Sequence, residues 1–233
     1  MDFKKDFPIF KNNNEKYPLI YFDNASTTQK PQCVINSISH FYSHYNANVH
    51  RGNYKIAEKA TLEFENSRQT IANFINAEKD EIIFTTGTTE SINLIAYTFT
   101  SLLKDEDEII ISEMEHHSNI LPWQMIKEKK NIKIRYIPVN EDGQLDLNQL
   151  ESLINKKTKL CSIISMSNIL GTINDLNKIS KITHKYNIPL LVDAAQSIAH
   201  EKIDVKKLNC DFLVFSGHKI MGPTGVGVLY MNR

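Results

Sequence analysis

Residues 211–219, DFLVFSGHK, carry an apolar run, Phe212, Leu213, Val214 and Phe215, into a small polar loop that ends on a lysine. A short run of branched and aromatic residues with no polar alternation reads as a strand buried on both faces of a sheet. The preceding stretch IPLLVDAAQ, residues 188–196, repeats the pattern and ends on Asp193. Outward from these two, strands are expected at residues 81–85, 108–112, 132–137, 160–165, 189–192, 211–215 and 227–230. Helical periodicity is expected at residues 33–45, 56–75, 88–103, 119–130, 147–155 and 175–186, with Ile56, Ala60, Phe64, Ile71 and Ile75 on one face of the second helix. A further short strand is expected at residues 19–22. Strands alternating with helices long enough for crossovers imply an α/β fold, with a mainly parallel seven-stranded sheet covered by helices on both faces. No Pro/Gly-rich linker divides the chain. It reads as an N-terminal arm, residues 1–18, followed by one large domain, residues 19–233.

The chain has 233 residues, 41% of them hydrophobic, enough to build a buried core. Lys plus Arg and Asp plus Glu are both 27, so no net positive field recruits nucleic acid or an anionic membrane. Three widely spaced cysteines, Cys33, Cys161 and Cys210, fit neither a disulfide framework nor a zinc site, and read as packing residues. The N-terminal sequence lacks the apolar core of a signal peptide and no apolar run is long enough to span a membrane, so a cytoplasmic protein is expected.

Ligands of such sheets gather at the carboxyl ends of the strands. There, Gly87-Thr88-Thr89-Glu90 opens a helix: glycine permits a sharp turn, a threonine can cap the helix, and free N–H groups with the helix dipole attract an anion such as phosphate. The segment has neither the lysine of a P-loop nor the glycine pattern of a dinucleotide site. Asp193, at the end of a buried strand, needs a cation or strong donor to offset its burial. Lys219, just beyond another such strand, can lose its charge by desolvation and become an amine nucleophile, although a lysine taken alone is a solvated surface residue. His116 and His117 are adjacent, a spacing that suits metal ligation poorly and suits ring stacking or acid/base work better.

Together, several segments resemble a known family. They are DNASTT (23–28), NVHRG (48–52), GTTESINL (87–94), MEHHSNILPW (114–123), SNILG (167–171), VDAAQ (192–196) and FSGHKIMGPTGVG (215–227). The resemblance is to the fold-type I pyridoxal-phosphate enzymes of the aminotransferase class V family, and within it to cysteine desulfurases and selenocysteine lyases of the SUF type. It implies that pyridoxal 5'-phosphate is the cofactor and that Lys219 binds it covalently and later shuttles the substrate α-proton. It implies that Asp193 pairs with the pyridinium nitrogen, and that Gln196 and Asn168 contact the phenolic oxygen. His116 would stack on the ring as a catalytic residue, and Thr88, Ser216 and His218 would hold the phosphate.

The implied reaction takes sulfur from L-cysteine, or L-selenocysteine in the lyases, leaves L-alanine, and passes a persulfide to an acceptor protein for iron–sulfur cluster assembly. Family members are longer homodimers. The resemblance therefore implies an incomplete large domain without the small C-terminal domain or its nucleophilic cysteine, and so a chain inactive alone. Neighbouring readings are an aminotransferase, epimerase or kynureninase of the same fold type, or an inactive fragment acting by subunit association. In the fragment reading, an open sheet edge is expected at residues 227–230.

Overall fold

The computed structural model describes residues 3–11 and 16–233. The described residues form a seven-stranded sheet in the order β1-β7-β6-β5-β4-β2-β3. The strands are β1 (Ile82–Thr85), β2 (Glu108–Ser112), β3 (Lys133–Ile137), β4 (Thr158–Ile164), β5 (Leu190–Asp193), β6 (Phe212–Ser216) and β7 (Gly227–Met231). β2 to β6 are parallel, whereas β7 runs antiparallel to both its neighbours, β6 and β1. The helices are α1 (Gln32–His44), α2 (Lys55–Ile75), α3 (Thr88–Leu102), α4 (Leu121–Lys129), α5 (Leu147–Leu153), α6 (Leu176–Lys185) and α7 (Val205–Leu208).

Strand side chains alternate between faces, so each buried strand feeds two cores. Ile110, Cys161, Ile163, Leu190, Val192, Leu213, Phe215 and Val228 pack with Ile75 of α2, Leu150 of α5 and Ile179 of α6. Ile109, Ile111, Leu160, Leu191, Val214 and Leu229 pack on the other side with Ile92, Ile95 and Ala96 of α3 and Trp123 of α4. This double coverage is why β2, β5 and most of β4 carry no polar alternation.

The seven expected strands and six helices all form, with ends shifted by a few residues. Four expectations fail. Residues 19–22 make no strand, because nothing pairs with them: Ile20 is 72% and Phe22 93% exposed, and the Tyr21 hydroxyl donates instead to Thr27 O at 2.6 Å, drawing the segment into a loop. The β7 segment is not an edge, since it lies between β1 and β6. The edge strand β1 is blunted by Arg68 of α2, whose guanidinium stacks near the Phe64 and Phe84 rings and donates to Ile82 O. Cys33 is exposed on α1, a helix with no buried residue, so it is not a packing residue, whereas Cys161 and Cys210 are buried. Ile56 lies at an exposed position of α2 while Ala57 and Ala60 take the buried face.

Candidate active site

The carboxyl ends of β2, β4, β5 and β6 surround a cleft of about 450 Å³. It is lined by Thr88, His116, Asn168, Asp193, Gln196, Ser216, His218 and Lys219, the residues to which the resemblance gives a role, whereas His117 does not line it. Asp23, Ala25, Ser26, Thr89, Ser118, Ile164 and Ala195 complete the wall.

At one end, α3 begins on Gly87 with no side-chain cap, so neither Thr88 nor Thr89 caps the helix as expected. Ser216 Oγ instead accepts from Thr88 N at 2.8 Å and lies 2.8 Å from Thr88 Oγ1. The arrangement depends on close backbone contact, because a Cβ on Gly227 would come within 2.4 Å of Gly87 Cα. An uncapped helix N-terminus flanked by two hydroxyls and His218 suits a dianionic group.

At the other end, Asp193 is 1% exposed, and its Oδ1 accepts from Ala195 N at 2.9 Å. Burial pushes its carboxyl up to about 6, while the Ala195 N–H and the Lys219 charge pull it down. Burial lowers Lys219, against the opposing attraction of Asp193. Among the described residues, no hydrogen bond or ion pair ties down its Nζ, so the amine is available.

His116 Nδ1 accepts from Ser118 N at 3.2 Å. That N–H can only donate, so the ring proton of neutral His116 resides on Nε2. Burial and the charges of Lys219 and His117 lower its pKa, favouring the neutral ring. Gln196 Nε2 donates to Ala25 O at 2.8 Å, fastening the residue 23–28 loop over the cleft.

Sequence reasoning missed the support beneath His116. The indole N–H of Trp123 donates to Asn119 Oδ1 at 3.1 Å, and Ser162 Oγ donates to the same oxygen at 2.6 Å. This orients the amide so that Nδ2 donates to Glu115 Oε2 at 2.6 Å. Glu115 Oε1 accepts from Ile164 N at 2.9 Å and Ser112 Oγ at 2.5 Å. Burial pushes the Glu115 carboxyl up to about 8, although these donors oppose the rise. The helical spacing of Asn119 and Trp123 was the only available sequence signal, and it resembles ordinary packing.

The cysteines take no part in the cleft lining. Burial raises the thiol of Cys161, and that of Cys210 to about 12, which leaves both protonated and unreactive.

The donor set fits pyridoxal phosphate: an anion cradle, a buried carboxyl and a desolvated amine bound one cleft. Comparison with known proteins agrees. The aminotransferase class-V family model matches residues 20–233. A probable cysteine desulfurase of Borreliella burgdorferi is 51% identical over 99% of this chain and 55% of its own length. The apo structure of a cysteine desulfurase from Thermococcus onnurineus superposes with a TM-score of 0.93 at 42% identity, over 100% of this chain and 56% of the other. SspA, solved in complex with cysteine, gives 0.84 at 32% identity, over 91% of this chain and 61% of the other. The chain thus spans little more than half the length of these relatives. Enzymes of this family depend on pyridoxal phosphate, and with its fold, its cleft and its sequence all matching theirs, this chain belongs to the aminotransferase class-V family.

Proposed function

We propose that this chain forms the cofactor-binding part of a pyridoxal-phosphate-dependent cysteine desulfurase, which takes sulfur from L-cysteine and leaves L-alanine. The observation that carries this reading is the placement of Asp193, Lys219 and the Thr88–Ser216 cradle around one cleft. The names of the relatives support the choice of reaction, and the SspA complex supports cysteine as a substrate.

When bound, the cofactor supplies an electron sink for the carbanion formed at the substrate Cα. Lys219 supplies the amine that attaches the cofactor, and then takes and returns the α-proton at Nζ. Asp193 would keep the ring nitrogen protonated, and that cation would in turn offset the burial of its carboxylate. Neutral His116 would pack on the ring. Asn168 and Gln196 would meet the phenolic oxygen, and Thr88, Ser216 and His218 would hold the phosphate. The sulfur-accepting thiol comes from outside these residues, since Cys161 and Cys210 are buried and Cys33 lies on α1. Residues 19–233 serve as the cofactor-binding large domain, residues 1–18 as its arm.

By resemblance, the complete protein acts as a homodimer in the cytoplasm and passes sulfur to an acceptor protein for iron–sulfur clusters. No helix among the described residues is long and apolar enough to cross a membrane. The test is to add pyridoxal phosphate and record visible absorption for wild type and Lys219→Ala. Wild type gains a band that the variant lacks; identical spectra overturn the assignment. Alanine release from cysteine, measured on this chain with and without an added thiol acceptor, then tests the reaction.

A further inference from the structure

Lys219 stands in a turn whose backbone is held by a segment almost the whole chain away. The carbonyl of His218, which forms the peptide bond to Lys219, accepts from Thr28 N and Thr28 Oγ1, both at 2.9 Å. It also receives Lys30 Nζ at 3.1 Å and Thr27 Oγ1 at 3.3 Å. On the far side of Lys219, Met221 N donates to Thr28 Oγ1 at 2.8 Å. A single hydroxyl therefore donates to the peptide before Lys219 and accepts from the backbone after it.

The turn needs this support. Ile220 N and Gly222 N both donate to Gly217 O, at 3.0 and 2.8 Å, which closes the loop tightly. Met221 consequently takes φ 67°, a left-handed conformation that a residue with a Cβ disfavours. Its N–H bond to Thr28 is the contact that holds this residue in place from outside the turn.

We propose that Thr28 is a positioning residue for Lys219, its hydroxyl clamping the turn so that the ε-amine is presented to the cleft in reactive geometry. The inference rests on the reading of Lys219 as the amine that bears the cofactor. It concerns how that amine is held, not which group it is. Thr27 plays a related part on the ring side, since its Oγ1 lies 3.2 Å from His218 Nδ1.

The test is site-resolved labelling of the full chain. Protein is mixed with pyridoxal phosphate, the lysine adduct is trapped with borohydride at intervals and across pH, and adducts are located by peptide mass spectrometry. The exposed Lys185 serves as internal reference. In wild type, Lys219 labels faster than Lys185. Thr28→Val preserves shape and the residue 28 N–H but removes the hydroxyl, and slows Lys219 about tenfold relative to Lys185, as misplacement of a reacting group does. Thr28→Ser restores the wild-type ratio and pH profile, which a general loss of packing would not explain. If Thr28→Val does not fold, Thr28→Ala is used, which also removes the hydroxyl and leaves Met221 in its left-handed position; slow labelling there again supports the clamp. Labelling of Lys219 at the wild-type ratio in Thr28→Val or Thr28→Ala overturns the proposal. A wild type in which Lys219 labels no faster than Lys185 overturns the cofactor reading itself, and this inference with it.

Discussion

Ile164 of β4 and Asp193 of β5 are register partners across the sheet, and the N–H of Ile164 is bonded to the buried carboxyl of Glu115. Two buried acids thus flank the end of one strand pair, and both carboxyls are pushed upward by burial, Glu115 to about 8 and Asp193 to about 6. Each favours the protonated form in the folded chain. The stability each contributes is present below its unfolded pKa and is lost as pH rises through the folded value.

Asp193→Asn removes one of these ionisations while keeping the oxygen that accepts from Ala195 N. The cofactor-free variant should be more stable than wild type above pH 6, by at most about 3 kcal/mol from the rise of 3.8 to about 6. It should lose the decline in stability between those values. Urea unfolding at several pH values checks this, and the same variant should bind pyridoxal phosphate poorly. An unchanged pH profile would show that Asp193 does not titrate in this window.

Asn119→Ala should destabilise the chain by about 2 to 4 kcal/mol, because Trp123, Ser162 and Glu115 all lose a buried partner at once. Trp123→Phe removes one donor to an oxygen still served by Ser162 but also leaves a cavity beside α3, and should lose about 1 to 3 kcal/mol. Chemical denaturation followed by circular dichroism measures both.

Ser216→Ala should weaken pyridoxal phosphate binding about tenfold and leave pyridoxal, which has no phosphate, nearly unaffected. Absorbance titrations with the two ligands separate a phosphate contact from a general loss of the cleft. Equal weakening for both would place Ser216 in structural support.

Gly227→Ala should destabilise by about 2 kcal/mol or more, since the new Cβ would fall 2.4 Å from Gly87 Cα and drive β7 away from the start of α3. Thermal unfolding reads the loss. Phosphate-dependent affinity should fall with it, because Gly87 is the residue from which the anion cradle begins.

Much of the site was legible because buried strands leave an unambiguous trace. The apolar runs ending in Asp193 and Ser216 read as double-covered strands, and the ligand-edge rule pointed to the polar groups just past them, with the family resemblance adding their roles. Glu115 left no such trace, as its burial depends on the Ile164 N–H and on an amide oriented by Trp123, contacts that only the folded chain creates. Residues 19–22 have strand composition, but a strand exists only through its neighbour, and composition does not supply one. Cys33 shows the helical version of that limit: periodicity gives α1 an apolar face without saying what covers it.

Since β7 is inserted between β6 and β1, Ile82 finds its ladder partner only at Tyr230. During synthesis β1 must therefore wait, unpaired, for β7, and a contact of such long range forms slowly. Until that closure occurs Gly87 has no Gly227 beside it, so the proposed anion cradle takes shape only once β7 has joined the sheet.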